Sequence, residues 1–172
     1  VPSSQHQLTA NQDDPAIRGI SAIILVPTRE LAQQVSQVVT RLCAYCARVI
    51  RSVNLTQKVS DAVQRSQLAD SPDIIIATPA RIAQNLNRSE LVLDELSHFI
   101  IDEADLVLSY GYEEDLQLLA KAVPKGVQMM LLSATLSTDI ETLKGLFCRD
   151  PVALELDEIE DQNGGMKQYV VK

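Results

Sequence analysis

The sequence predicts an α/β domain in which helices cover both faces of an open parallel sheet. Two features of the chain carry that expectation. Short apolar runs rich in β-branched residues recur along it, each stopping abruptly at a small polar or acidic group, and the segments between them repeat with helical period. Such runs suit strands buried on both faces, as parallel strands are, and their alternation with helices defines the class. The 172 residues, 46% of them apolar, suffice for one packed unit with a real core.

Taken in order, residues 1 to 19 are polar and aperiodic, with Ser3-Ser4, Asn11 and Asp13-Asp14-Pro15, and read as a flexible lead-in. Ala22 to Val26 is the first strand and ends at Pro27-Thr28. Leu31 to Cys46 reads as a helix, with Val35, Val38, Val39, Leu42, Cys43 and Cys46 on helical spacing. Val49 to Leu55 is a strand with a more polar end, and Ser60 to Leu68 a second helix. The strand Ile74 to Ala77 stops at Thr78-Pro79 and leads into a helix over Arg81 to Asn87. Phe99 to Ile101 stops at Asp102-Glu103, with a helix expected over Tyr112 to Ala122. Met129 to Leu132 stops at Ser133-Ala134-Thr135, before a last helix over Thr138 to Leu146. The acidic stretch Glu155 to Asp161 and the breaker Asn163-Gly164-Gly165 place the end of the domain near Leu156. The expected division is therefore 1–19, 20–156 and 157–172.

Composition narrows the function. A formal charge of -8 argues against holding nucleic acid through a broad basic face, so any RNA contact has to be local. No stretch approaches the roughly 20 consecutive apolar residues of a bilayer span, and no signal peptide is visible, so no membrane partner is expected. The chain begins at Val1 and is expected to be a piece of a longer protein. Three cysteines do not make a disulfide framework, and a reducing, intracellular compartment is expected. Cys43 and Cys46 form a Cys-x-x-Cys pair, but His6 and His98 are isolated and no second ligand pair is visible. Both cysteines are therefore expected to be packing residues of the helix.

The ligands of an open parallel sheet bind outside the carboxyl ends of its strands. Adjacent carboxylates there, Asp102 and Glu103, supply what nucleotide hydrolysis needs: one holds Mg²⁺ through its water shell, the other orients the attacking water and takes its proton. An isolated Asp-Glu pair serves equally well as acids at a helix N-terminus. Pro27-Thr28-Arg29 and Thr78-Pro79-Ala80-Arg81 share a different design. Each sets a Thr at the turn from strand to helix with an Arg close behind, and the amides of such a start bind phosphate. Ordinary capping with a surface Arg is the plain alternative. Ser133, Ala134 and Thr135 put two hydroxyls beside the acidic strand end, or simply cap a helix.

In order and spacing these segments resemble the DEAD-box family of ATP-dependent RNA helicases: Pro27 to Ala32 is similar to motif Ia, Thr78 to Arg81 to motif Ib, Asp102-Glu103-Ala104-Asp105 to motif II, and Ser133 to Thr135 to motif III. The resemblance covers about residues 20 to 156 and implies a RecA-like sheet, with ATP and Mg²⁺ as cofactors and RNA held by sequence-independent backbone contacts. Asp102 would then coordinate Mg²⁺ through water, Glu103 would position the hydrolytic water, and Asp105 would bond to Ser133, Ala134 or Thr135 to link nucleotide state to RNA grip. Pro27, Thr28, Arg29, Thr78, Pro79 and Arg81 would lie along the RNA. Gln168-Tyr169-Val170 is similar to the entrance to the linker that precedes the family's second RecA-like domain, a further expected partner. The lead-in and overall texture resemble nucleolar members acting in large ribosomal subunit assembly. That implies a nuclear, nucleolar location, rRNA processing and pre-ribosomal partners.

The sequence departs from the family in three places. Ala80 and Val53-Asn54-Leu55 stand where the family carries Gly and a Gly-Gly pair, which bears on close backbone approach to RNA. No Gly-x-x-x-x-Gly-Lys-Thr/Ser loop occurs, so the phosphate-loop strand and helix are expected to be missing on the N-terminal side and the chain alone to be inactive. A docking module with vestigial ATPase chemistry, or another RecA-like motor acting on DNA, remain the alternatives.

Overall fold

The computed structural model describes residues 19–46, 49–135 and 137–154. The lead-in up to residue 18 and the acidic tail with its linker segment lie outside the described residues. In chain order the elements are β1 (Ala22–Leu25), α1 (Arg29–Leu42), β2 (Ser52–Asn54), α2 (Asp61–Ala69), β3 (Ile74–Ala77), α3 (Pro79–Asn87), β4 (His98–Ile101), α4 (Ala104–Ser109), α5 (Glu113–Ala122), β5 (Gln128–Leu131) and α6 (Thr138–Phe147). The strands form one parallel sheet in the order β2-β3-β1-β4-β5.

Alternation along the strands divides the core between the two faces. Ile23, Leu25, Ile75, Ala77, Phe99 and Ile101 are fully buried in the larger cluster, packed with Ile82 and Ala83 of α3, Leu116 and Leu119 of α5, and Ile140 and Leu143 of α6. Phe99 stacks on Phe147 with ring centroids 5.5 Å apart. Ile24, Val26, Ile74 and Ile76 belong to a smaller cluster with Leu31, Ala32, Val35 and Val39 of α1. Helices thus lie on both faces, as expected, but unevenly.

That unevenness corrects the expectation of burial on both faces for every strand. On the edge strand β5, exposed residues alternate with half-buried ones; Met130 is 46% exposed, and Leu132 just beyond the strand is 44% exposed. An apolar run alone does not separate an edge strand from a central one, and the side with Met130 has no described helix over it.

The cysteine pair is also placed differently from expectation. The first helix stops at Leu42, Cys43 is its C-cap with its N–H bonded to the Val39 carbonyl, and Cys46 sits in the following turns. Those turns, with Val49 and Ile50 donating to the Cys46 carbonyl, delay β2 to Ser52. Cys43 packs against the smaller cluster. Desolvation, and then the neighbouring Cys46, push its thiol pKa up, which disfavours the reactive thiolate. All three cysteines are unpaired. No helix among the described residues is long and apolar enough to cross a membrane.

With both cysteines only half-buried, a Cys43→Ala/Cys46→Ala variant should fold and melt within a few degrees of the parent, and purified protein should carry no stoichiometric zinc. Elemental analysis and a thermal melt with and without chelator check this; unfolding on chelation would contradict it.

Candidate functional site

The parallel register brings every motif to one edge of the sheet. Leu25 of β1 pairs with Ala77 of β3 on one side and Ile101 of β4 on the other, and Ile101 pairs with Leu131 of β5. The ladder then continues one step past the strands. Val26 N–H donates to the Ala77 carbonyl (3.0 Å), Asp102 N–H to Leu25 (2.9 Å), Leu132 N–H to Ile101 (2.9 Å) and Leu55 N–H to Ile76 (2.9 Å). Adjacent strands are about 4.8 Å apart, so the motifs form a row of neighbours.

The acidic group stands at the β4 and β5 end of that row. Asp102 and Glu103 are both half-buried, and Asp102 Oδ1 accepts from the Glu103 N–H at 3.0 Å. Glu103 has φ 49° and ψ 52°, the left-handed region that an L-residue occupies at a cost of about 1 to 2 kcal/mol. This turn bends the chain into α4, a short helix the sequence analysis missed, whose first N–H, from Ala104, donates to the Leu132 carbonyl at 2.9 Å. Asp105 Oδ2 accepts from Thr135 Oγ1 at 3.4 Å, while Ser133 Oγ accepts from the Thr135 N–H at 3.3 Å. Ala134 between them is exposed. The two motifs therefore touch through backbone and side chain alike.

The helix starts occupy the β1 and β3 side. Both helices begin earlier than periodicity suggested, so Arg29 is the first residue of α1 and Pro79 the first of α3. Thr28 Oγ1 accepts from the Leu31 N–H at 3.2 Å and caps α1 as expected. Thr78 has the extended backbone of an N-cap but makes no side-chain cap bond. Pro27 and Pro79 are buried, Arg29 is exposed, and Arg81 is half-buried with its guanidinium donating to Gln84 Oε1 at 3.1 Å.

Two features were not found from sequence. Tyr112 donates its hydroxyl to the Pro27 carbonyl at 3.3 Å, tying the loop after α4 to the strand end of β1 across 85 positions. Its only sequence signal was an aromatic residue behind Gly111. Where the family has its glycine pair, Asn54 is buried, and its Oδ1 accepts from both the N–H (2.9 Å) and the Oγ1 (2.7 Å) of Thr56. The Asn54 side chain thus closes the turn after β2.

Asp102 meets what Mg²⁺ asks of a protein when a nucleotide shares it: one or two carboxylates, with phosphates and water filling the remaining positions. Its Oδ2 accepts no hydrogen bond among the described residues. No group of three or more His, Cys, Asp or Glu among the described residues forms a cage for an ion. The fit is to an ion shared with phosphate.

A family model described as DEAD/DEAH box helicase matches residues 6–143. The chain is similar to curated relatives called ATP-dependent RNA helicase dbp9. With that of Aspergillus clavatus it is 57% identical over 172 residues, 100% of this chain and 28% of the relative. With that of Sclerotinia sclerotiorum it is 60% identical over 167 residues, 97% of this chain and 28% of the relative. The chain thus spans a little over a quarter of the length of these relatives. A crystal structure of a DEAD box protein from the hyperthermophile Methanococcus jannaschii superposes with a TM-score of 0.67 at 33% identity, over 74% of this chain and 34% of that one. A Dbp5 variant of S. cerevisiae bound to Gle1 and IP6 shares the fold, with a TM-score of 0.71 at 24% identity, over 84% of this chain and 36% of that one. The sheet is RecA-like, and with the family model matched across most of the chain and the strand-end motifs in the family's order along the sequence, all at one sheet edge, the chain belongs to the DEAD/DEAH box helicase family.

Proposed function

We propose that the parent protein couples ATP binding and hydrolysis to local RNA duplex unwinding or to remodelling of RNA–protein particles. The observation that carries this reading is the division of one sheet edge. The carboxylates stand at β4, the helix starts with Thr28-Arg29 and Thr78-Pro79 stand at β1 and β3, and the Thr135–Asp105 and Tyr112–Pro27 hydrogen bonds tie the row together.

Each residue has a part in that scheme. Asp102 would hold Mg²⁺ through its water shell, and such an ion would supply charge neutralisation for the phosphates of a bound nucleotide. Glu103 orients the attacking water and takes up its proton. Asp105, Ser133, Ala134 and Thr135 pass the nucleotide state across β4 and β5. Pro27, Thr28, Arg29, Thr78, Pro79 and Arg81 hold the RNA by its sugar-phosphate backbone, and Gln84 fixes the guanidinium of Arg81 for that contact. Contacts of this kind tolerate any sequence. A phosphate-gripping loop and a second RecA-like domain belong to other parts of the parent, so this chain by itself is inactive.

Within the cell we place the parent in the nucleolus, acting on pre-ribosomal particles, on the strength of the sequence resemblance to that subgroup. A fluorescently tagged parent should coincide with a nucleolar marker; exclusion from the nucleolus would remove this part of the reading.

In the parent protein Glu103→Gln should keep nucleotide affinity while lowering kcat about a hundredfold or more, because it removes the base and keeps the shape. Asp102→Asn should instead weaken the Mg²⁺-dependent part of nucleotide binding. Steady-state phosphate release and nucleotide titration at several Mg²⁺ concentrations separate the two, and parental turnover in either variant would show the roles to be misassigned.

A further inference from the structure

The strand starts, at the edge of the sheet away from the motifs, form a second concave surface. A groove of about 550 Å³ lies there between the end of α2, the segment that enters β1 and the loop from α3 to β4. Buried Ile20 and Leu68 give it an apolar lining together with Val92, which is 65% exposed between buried Leu91 and Leu93. Glu90, Asp94 and Glu95 also line it, with a single cation, Arg65, whose guanidinium stands 4.0 Å from Glu90. Asp94 and Glu95 enter no ion pair among the described residues. The stem of Glu95 is held by the chain itself: a Cβ on Gly19 would stand 2.7 Å from the Glu95 Cβ and Cγ, an approach that glycine alone allows. Helix α2 brings its carboxyl end to the same groove at Ala69, with no basic residue in its last turn, so its dipole adds to the negative sign.

We propose that this groove docks a basic segment of a partner protein, whose Lys or Arg side chains meet Asp94 and Glu95 while a branched apolar side chain between them packs on Leu68 and Val92. Charge complementarity selects the occupant. The three carboxylates against one arginine repel phosphate and attract cations, so a nucleic acid does not fit here. The apolar lining separates the groove from an ordinary solvated acidic face, because an apolar centre ringed by polar groups is the anatomy of a protein-binding patch. The stems of Lys and Arg also suit such a surface, since they pack on apolar groups while the heads reach the rim. The position leaves the other edge free. Strands of four residues put about 13 Å of sheet between the groove and the strand-end row, so a partner can sit here while nucleotide and RNA occupy the row. The inference stands on the chemistry of this surface and does not depend on the RNA reading.

The test uses the full-length parent and a fluorescein-labelled peptide, Lys-Arg-Leu-Leu-Arg-Lys, read by anisotropy, with Lys-Arg-Ser-Ser-Arg-Lys as a control of equal charge. The wild type should bind the leucine peptide about tenfold more tightly than the serine peptide, the effect of burying an apolar side chain in part. Asp94→Asn/Glu95→Gln should weaken the leucine peptide about tenfold, as expected for two exposed ion pairs, with the melting temperature unchanged. Asp94→Asn alone, at an exposed loop position, should show about a threefold part of that loss and serves if the double variant folds poorly. Val92→Ser should shrink the preference for leucine over serine and leave the response to the carboxylates intact. An oligouridine should not displace the peptide. Equal affinity for the two peptides would reduce the surface to general attraction by an acidic protein and overturns the proposal. So does parental affinity in the carboxylate variants, or displacement by oligouridine, which would put the peptide on the strand-end row.

Discussion

The parallel ladder through Leu25 is the constraint on which the rest of this domain depends. Because β1 lies between β3 and β4 and pairs with both in the same register, the strand ends of three motifs stand side by side, and β5 adds the fourth. A slip by one residue would exchange the side chains between the faces, and because the central runs are apolar on both, the polar stops at their ends resist it by being unsuited to burial. The candidate site residues accordingly stand at or just beyond the last ladder bonds, Asp102 itself donating to Leu25. Glu103 shows the consequence most clearly. It accepts a left-handed backbone that the neighbouring ladder bonds of Asp102 and Ala104 hold in place.

The same ladder keeps the strand ends close together. Four strand steps separate β2 from β5, so the row of strand ends from Asn54 to Leu131 spans about 19 Å. Along it the contacts alternate between backbone and side chain. Ala104 bonds to Leu132, Thr135 to Asp105, Asp102 to Leu25, and Tyr112 to Pro27. These bonds join β5 to β4 and β4 to β1, with the backbone from Asp102 to Asp105 between them.

Most of the fold was legible in the sequence because central strands combine β-branched apolar runs with sharp polar stops. Ile74 to Ala77 was read with the bounds it has, and Ala22 to Val26 was one residue too long. Legibility failed where the governing interaction is not local. The pattern through Cys43 and Cys46 keeps helical period although the helix ends at Leu42, because neither Gly nor Pro marks the stop. Helix α4 is six residues long, too short for periodicity to register. An apolar run could not reveal that β5 is an edge. The site residues were readable as types at strand ends, but the hydrogen bond of Tyr112 to Pro27 and the Asn54–Thr56 turn depend on neighbours that only the folded chain brings together.

We propose that nucleotide and RNA communicate through the contact between β4 and β5, and a double-mutant cycle on Thr135→Val and Asp105→Asn in the parent protein tests this most directly. The quantity to measure is the gain in single-stranded RNA affinity that an ATP analogue produces. Each single variant should reduce that gain while nucleotide affinity stays near the parental value. The double variant should do little more than either alone, giving a coupling energy of about 0.5 kcal/mol or larger. Additive losses, or an undiminished gain in RNA affinity when Thr135 has lost its hydroxyl, would contradict the account.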